Sequence, residues 1–261
     1  MRALTFVDAK QRFSGRVGDY ARHRPGYPLE VLDILRQECG LRADHVIADV
    51  GSGTGLLSEL FLKNGNTVFG VEPNAEMRQA GEQYLQGYTG FTSVAGSAEA
   101  TTLPRACSDF VSAGQAFHWF EPNAARAEFR RILRPGGWFV AVWNFRDKET
   151  KFGRAYESLL EKYGTDYTSV REAYPKGHDL DAFFQGGPYL HRTMPNLGLF
   201  DWDRLAGWLR SSSFVPREGH PNFEPMMAAL RELFDALQRG GQVQVENTTH
   251  LYAGRIPEKR N

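Results

Sequence analysis

Val46-Ile47-Ala48-Asp49-Val50-Gly51-Ser52-Gly53-Thr54-Gly55 is the stretch of sequence that decides the fold. It begins as a short apolar run, which is typical of a strand buried on both faces of a parallel sheet. Three glycines follow at alternate positions, and because glycine has no Cβ atom, a ligand can lie against bare backbone there. Leu56–Leu62 predicts a helix whose N-terminal N–H groups and dipole face the same turn. Strand, turn and helix together indicate a nucleotide-type site.

The glycine spacing narrows the class of nucleotide. A dinucleotide fingerprint is G-x-G-x-x-G, whereas here the third glycine comes one residue earlier and Asp49 stands two places before the first. The chain has no P-loop Gly-Lys-Ser/Thr. The stretch resembles motif I of the class I S-adenosylmethionine-dependent methyltransferases, whose cofactor has no phosphate. That resemblance implies a cofactor site at Asp49, Gly51, Ser52, Gly53 and Gly55; a tight turn that binds nothing is the alternative.

Composition excludes several other classes of protein. Lys+Arg and Asp+Glu both total 31 in 261 residues, and zero net charge argues against a broad nucleic-acid footprint. Cys39 and Cys107 offer neither a metal spacing nor a disulfide framework, which fits a reduced compartment. No signal peptide opens the chain, and no apolar run approaches the ~18 residues that span a bilayer. We expect a cytoplasmic monomer or weak homodimer with no metal, membrane or nucleic-acid partner.

Strand-like and helix-like segments alternate after residue 45. The later strands are predicted at Thr67–Val71, Phe91–Val94, Asp109–Ala113 and Trp138–Trp143, with a helix from Asn74 to Leu85. Such alternation implies a doubly wound parallel sheet with its ligand at the carboxyl ends of the strands. Val243–Ala253 alternates in polarity and follows its predecessor too closely for a crossover, which predicts an antiparallel strand. We expect an α/β fold: a Rossmann-like, doubly wound, seven-stranded sheet, mostly parallel with an antiparallel last strand, plus a helical cap insertion.

A single domain over residues 1–261 divides into three parts in this interpretation. Residues 13–145 form the cofactor-binding half. Residues 146–210 are rich in aromatic and charged side chains and show no further clear βα unit, so they are expected to be a cap insertion over the acceptor. Residues 211–256 would supply a final strand, helix and strand that complete the sheet, with the helix at Phe223–Gln238.

Glu72 and Pro73 follow the predicted second strand, and Glu72 lies 21 positions after Gly51. A carboxylate at that distance can accept hydrogen bonds from both hydroxyls of a ribose. A solvated surface glutamate is the alternative interpretation.

Gly96-Ser97-Ala98-Glu99 follows the third strand and resembles the Gly-Asp-Ala-Glu segment that holds adenine in this family. Ser97 replaces the aspartate, and its hydroxyl can still accept a hydrogen bond, although without charge assistance. The resemblance implies that the Ala98 backbone N–H serves the adenine ring. Glu99 is either part of the cofactor pocket or a local cap.

Gln115-Ala116-Phe117-His118-Trp119-Phe120 ends the fourth strand. It resembles the A-Q-A-x-H-W-F signature of the methyltransferase type 11 enzymes of the trans-aconitate methyltransferase-like subgroup. The resemblance implies cofactor contacts from Gln115, Ala116 and Phe117, and a substrate site lined by His118, Trp119 and Trp143. His118 is the candidate catalytic residue, and as a base it would give an acid limb near pH ~6.5; a core or capping histidine is the alternative.

The N-terminal segment Phe13–Pro28 resembles the same subgroup's F-x(6)-Y-x(3)-R-P-x-Y-P element. Tyr20 and Arg24 are spaced i, i+4 on one helical face, and such a pair can bind the carboxylate at the amino acid end of the cofactor. A helix that only packs and pairs locally is the alternative.

The function favoured by the sequence is transfer of a methyl group from S-adenosylmethionine, which becomes S-adenosylhomocysteine, to oxygen, nitrogen or carbon of a small-molecule acceptor. An NAD-type oxidoreductase is disfavoured by the glycine spacing and by the lack of a Tyr-x-x-x-Lys pair. A non-catalytic module of the same fold remains the third hypothesis. The acceptor atom, and whether a base is used, stay open.

Overall fold

A computed structural model describes residues 23–172 and 177–257 of the chain. The strands are β1 (Val46–Val50), β2 (Thr67–Val71), β3 (Phe91–Val94), β4 (Ser108–Gly114), β5 (Leu133–Arg146), β6 (Tyr189–Phe200) and β7 (Val243–Gly254). The helices are α1 (Glu30–Cys39), α2 (Leu56–Lys63), α3 (Ala75–Tyr84), α4 (Pro122–Ile132), α5 (Lys151–Tyr163), α6 (Tyr167–Glu172), α7 (Gly177–Phe183), α8 (Trp202–Arg210) and α9 (Phe223–Leu237), with a 3₁₀ turn at Phe117–Trp119.

The strands form one sheet in the order β3-β2-β1-β4-β5-β7-β6. The first five pair in parallel, and β7 runs antiparallel to both of its neighbours, β5 and β6. Six strands therefore share one direction and the last strand opposes them, as predicted. The chain leaves β1 toward β2 and later returns on the other side as β4, so the switch point lies between β1 and β4, where open α/β sheets bind ligands.

Local sequence signals set most element boundaries in the first half of the chain. Asn74 caps α3, because its side-chain oxygen accepts hydrogen bonds from the backbone N–H groups of Glu76 and Met77. The predicted strands β2 and β3 are confirmed at their predicted bounds. Strand β5 is longer than predicted, because it begins at Leu133 and continues past a register shift to Arg146.

The range predicted as a cap insertion needs correction. Helices α5, α6 and α7 occupy its first part, but β6 spans Tyr189–Phe200 and pairs with β7 along its whole length. The strand that precedes the final helices therefore lies inside 146–210, not after residue 211. Pairing with β7, which is distant in sequence, decides this strand and outweighs a local pattern that contains Pro195 and Gly198.

Three apolar clusters hold the layers together. Two of them cover the opposite faces of the sheet, one around Phe139 and Phe183 and the other around Leu35 and Phe61. The third lies between α5, α8 and α9 and the β6–β7 pair, and it includes Tyr156. Most aromatic side chains of 146–210 are therefore core residues. Within the described residues, no helix is both long and apolar enough to span a bilayer.

Candidate functional site

The glycine turn between β1 and α2 lies at the carboxyl end of β1. Gly51, Gly53 and Gly55 all have positive φ angles, of 68°, 56° and 89°. A Cβ atom on Gly51 would lie 2.7 Å from the Cβ of Ala116, whereas one on Gly53 would meet nothing within 4 Å. Gly53 is thus the point where backbone faces open space. The turn borders a small cavity of about 30 Å³ together with Ser52, Thr54 and Tyr27.

Asp49, two residues before the glycine turn, is hydrogen-bonded to two neighbouring elements. Its carboxylate accepts hydrogen bonds from the hydroxyls of Ser58 at 2.6 Å and Ser112 at 2.9 Å, and the residue is fully buried. Burial raises the pKa of Asp49 to about 6, although the two hydroxyl bonds oppose the shift. The side chain therefore joins β1, α2 and β4, and it was predicted as a cofactor residue without this bracing role.

Glu72 reaches from the end of β2 to the glycine turn. One carboxylate oxygen accepts from the backbone N–H of Gly53 at 3.1 Å, and the other accepts from Asn74 N–H at 2.9 Å. Burial raises the pKa of the carboxyl group, partly offset by these two bonds. A carboxylate has about four acceptor positions, so two remain for a ligand beside the turn.

The predicted adenine segment forms a compact loop after β3. Ser97 and Ala100 exchange backbone hydrogen bonds, and Ala98 is buried. Glu99 accepts a hydrogen bond from the backbone N–H of Glu121, which caps α4. Such a contact is what the interpretation of Glu99 as a local cap predicts. Pro73 is half-buried beside Glu72.

The three residues at the end of β4 that were predicted to contact the cofactor lie in different surroundings. Gln115 has a positive φ of 56°, and its side-chain Nε2 donates to the Asn144 carbonyl oxygen at 3.0 Å. Ala116 packs against Gly51. Phe117, predicted as a cofactor contact, is instead 4% exposed and packs edge-on against Phe183.

Trp143 was predicted to line the substrate site and is instead a core residue. Its side chain is 1% exposed and packs edge-on against Phe117 and Tyr252. Side chains alternate across a strand, so Trp143 faces the core while its neighbour Asn144 lines a cavity.

His118 lies in the 3₁₀ turn, with its ring 4.9 Å from that of Trp119. Burial, reinforced by the nearby Arg24 charge, lowers the pKa of His118 to about 3. An imidazole with this pKa is neutral across the physiological range. The acid limb near pH ~6.5 follows from the pKa of a solvated histidine, and the role of His118 as a base stays a prediction.

Arg24 lies beside the carboxyl edge of the sheet, and Tyr20 falls outside the described residues. Arg24 Nε donates to the hydroxyl of Ser211 at 3.1 Å, and Ser211 directly follows α8. The next residues cross the ends of the strands, where the Gly26 carbonyl accepts from the side chains of Asn144 and Asn196.

A larger cavity of about 260 Å³ adjoins the glycine turn and shares Tyr27 and Leu56 with the small one. Its remaining lining residues come from the N-terminal segment, the ends of β4 and β5, α6, α8 and β7: Arg24, Pro25, Gln115, Asn144, Phe145, Arg146, Lys148, Tyr167, Trp208, Ser212, Phe214 and Asn247. Among the described residues, no group of three His, Cys, Asp or Glu side chains is placed to hold a metal ion.

Comparison with known proteins shows a likeness to methyltransferases. Residues 48–141 match the model of the methyltransferase domain, type 11. An uncharacterised methyltransferase of Mycobacterium tuberculosis is 35% identical over 165 residues, which are 63% of this chain and 64% of the relative. The chain thus covers a little under two thirds of that relative. An uncharacterised methyltransferase of Schizosaccharomyces pombe is 29% identical over 87% of this chain and 88% of its own. Residues 48–141 thus match a methyltransferase domain, and the chain is similar over longer stretches to proteins named as methyltransferases.

Two solved structures share this fold. A protein of Anaeromyxobacter dehalogenans, described provisionally as a type II methyltransferase, matches 89% of this chain and 98% of its own with a TM-score of 0.60 and 22% identity. A phosphoethanolamine N-methyltransferase of Haemonchus contortus, solved with phosphomonomethylethanolamine and S-adenosylhomocysteine, matches 98% of this chain and 61% of its own, with a TM-score of 0.54 and 13% identity. At such identities the likeness concerns the fold.

Sequence reasoning missed much of the larger cavity. Asn144, Arg146 and Lys148 lie at or just beyond the carboxyl end of β5, and the rule that ligands bind at such ends could have identified them. They were overlooked because the strand was predicted to stop at Trp143. Asn247, from the antiparallel β7, carries no comparable local signal.

Replacing Asp49 should change how stability depends on pH. The pKa of Asp49 is raised to about 6 in the folded state, so the folded state favours the protonated carboxyl group. The stability that this group contributes is therefore lost as pH rises from ~4 through about 6. Relative to wild type, Asp49→Asn should therefore gain roughly 2–3 kcal/mol of unfolding free energy between pH 4 and 7. Urea unfolding at several pH values measures this, and a pH-independent difference would contradict it.

His118 should stay neutral down to pH 5. Imidazole resonances followed by NMR, with the His118 signal assigned by its loss in His118→Gln, should show no titration of that residue between pH 8 and 5. A midpoint near ~6.5 would show that the ring is solvated.

Proposed function

We propose that the chain is an S-adenosylmethionine-dependent methyltransferase that acts on a small molecule in the 260 Å³ cavity. The adjacency of two cavities carries the proposal: one lies at the glycine turn, the other opens beside it, and Tyr27 and Leu56 line both. Two compounds that react directly need adjoining sites of this kind.

The residues at the turn suit this cofactor. The backbone at Gly53 faces open space. The neighbouring Glu72 carboxylate can accept further hydrogen bonds, such as those from ribose hydroxyls. The Thr54 hydroxyl is buried and has no hydrogen-bond partner among the described residues, so a polar ligand at the turn could supply one. The bound cofactor would supply an electrophilic methyl group on a positively charged sulfur.

The chain itself would contribute position and exclusion of water. Transfer of that methyl group would be a displacement in which a lone pair of the acceptor takes the methyl carbon and the sulfur retains the electron pair of the broken bond. Such a displacement depends chiefly on alignment. Tyr27 and Leu56 lie where the two cavities meet, and Phe145, Trp208 and Phe214 give the acceptor side apolar walls.

Glu72→Ala should weaken binding of S-adenosylhomocysteine at least tenfold, because hydrogen bonds to a charged group are each worth ~1.5–3 kcal/mol. Titration calorimetry measures the change. Glu72→Gln, which preserves the shape of the side chain, tests whether charge is responsible, and Glu76→Ala, on the exposed first turn of α3, is the matched control. Unchanged affinity in Glu72→Ala would reject the ribose assignment, and tighter binding of NAD than of S-adenosylhomocysteine by wild type would reject the proposed function.

A further inference from the structure

We propose that the acceptor is a small organic anion that also carries a hydrogen-bond donor, with Arg146 and Lys148 binding its charge and the Gln115 side-chain oxygen accepting from its donor. This inference rests on the proposed function, because it names the acceptor class of that site.

The electrostatics of the larger cavity favour an anion. Arg24, Arg146 and Lys148 all line it, and none of its lining residues in the described ranges is acidic. Glu157 contacts two of these cations, at 2.6 Å from Arg146 Nη2 and 2.6 Å from Lys148 Nζ. Burial alone would raise the pKa of Glu157, but the bonds from Lys148 and Tyr167 and the Arg146 charge lower it to about 2. The two positive charges of Arg146 and Lys148 thus share the one negative charge of Glu157.

Arg146 is held in place before any ligand arrives. Its guanidinium carbon lies 4.5 Å from the centre of the Tyr156 ring, which stacks on Trp208 at 5.0 Å and 9°. One terminal nitrogen is bound to Glu157, whereas Nε is buried without a hydrogen-bond acceptor in the described part of the chain. A fixed guanidinium with an unused donor suits an anionic oxygen, because little side-chain freedom is lost on binding.

Gln115 supplies the complementary requirement. Its Nε2 donates to the Asn144 carbonyl oxygen, which can only accept, so the amide orientation is fixed by its partner. The Oε1 atom is then an acceptor, and it is buried with no donor within residues 23–172 and 177–257. Buried polar groups are nearly always paired. A ligand hydroxyl or N–H would supply the missing bond.

The two requirements together define a narrow class. A neutral alcohol lacks the charge, and a fully ionised polycarboxylate lacks the donor, whereas a hydroxy acid or phenolic acid has both. The aromatic faces of Phe145, Trp208 and Phe214 accommodate an apolar body between the polar groups.

The amino acid end of the cofactor also carries an anion and a donor, but the position of the cations sets the acceptor apart. Arg146 ends β5 and Lys148 follows it, and β5 is separated from β1 and its glycine turn by β4. Neighbouring strands lie about 4.8 Å apart, so β5 is offset from β1 by on the order of 10 Å across the sheet alone, and Arg146 also lies beyond the register of the β1 end along the strand direction.

The test uses full-length protein saturated with S-adenosylhomocysteine and three matched probes: 4-hydroxybenzoate, 4-hydroxybenzamide and 4-methoxybenzoate. The aliphatic set 2-hydroxy-4-methylpentanoate, its amide and its methyl ether repeats the comparison. Calorimetry should show that each hydroxy acid binds at least tenfold more tightly than its amide and its ether.

Variants assign the two preferences to residues. Arg146→Gln should remove at least tenfold of the preference for acid over amide, and Lys148→Gln, whose side chain is 42% exposed, should remove at least threefold even if the Arg146 variant does not fold. Gln115→Leu should remove the preference for hydroxyl over ether and retain that for acid over amide. Lys151→Gln, exposed on α5 outside the cavity, is the matched control and should keep both.

Several results would overturn the inference: equal binding of acid and amide, no binding of any probe at millimolar concentration, or a loss of S-adenosylhomocysteine affinity in Lys148→Gln. The cofactor titration precedes the probes on every sample. Wild-type protein that fails to bind S-adenosylhomocysteine counts against the proposed function, whereas normal cofactor binding without selection for hydroxy acids counts against this inference alone.

Discussion

The buried carboxylate of Asp49 joins the three elements on which the rest of the site depends. It lies in β1, and its two oxygens accept from Ser58 of α2 and Ser112 of β4. A buried carboxylate is costly unless it is hydrogen-bonded, so the three elements are held in one arrangement. The direction of the glycine turn and the end of β4 both follow from that arrangement, because the turn lies between β1 and α2 and Gly114 is two residues beyond Ser112.

Close packing at Gly51 and Gly114 positions the walls of the two cavities relative to β1 and β4. A Cβ atom on Gly114 would lie 2.6 Å from the Tyr27 hydroxyl, and one on Gly51 would lie 2.7 Å from the Ala116 Cβ. Glycine is thus required at both positions by close approach, in addition to the positive φ of Gly51. These contacts place Tyr27 against the strand ends and between the two cavities. Residues 24–27 therefore contribute to the wall of the site.

The parts that the sequence predicted are those with local causes. Strands β2 and β3 and the cap at Asn74 depend on residues adjacent in sequence, and they were found. Strand β6 was missed because its pattern of apolar and polar residues does not match its burial. Leu197 and Leu199 are 62% and 57% exposed. The extended backbone of β6 is instead fixed by its pairing with β7. Edge strands carry a weaker pattern because one side lacks a partner strand.

In the candidate site, too, residues with local sequence signals were predicted and those brought together by tertiary contacts were not. The turn and Glu72 were identified from residues at fixed spacing, and the structure brings them within hydrogen-bond distance. Arg146 and Glu157 are 11 residues apart and meet only because α5 folds back against the end of β5. Likewise, the neutral charge of the whole chain says nothing about the excess of positive charge in one cavity. Tertiary contacts create that property, so composition could not reveal it.

Charge placement also bears on the proposed reaction. The methyl donor is a cation, and a protonated histidine at the end of β4 would repel it. Burial and the Arg24 charge keep His118 uncharged, with a pKa of about 3. Two of the cations in the larger cavity, Arg146 and Lys148, lie at and beyond the end of β5, the strand next to β4. In this arrangement Arg146 and Lys148 would attract the proposed acceptor, and the proposed reaction would depend on alignment of the two compounds.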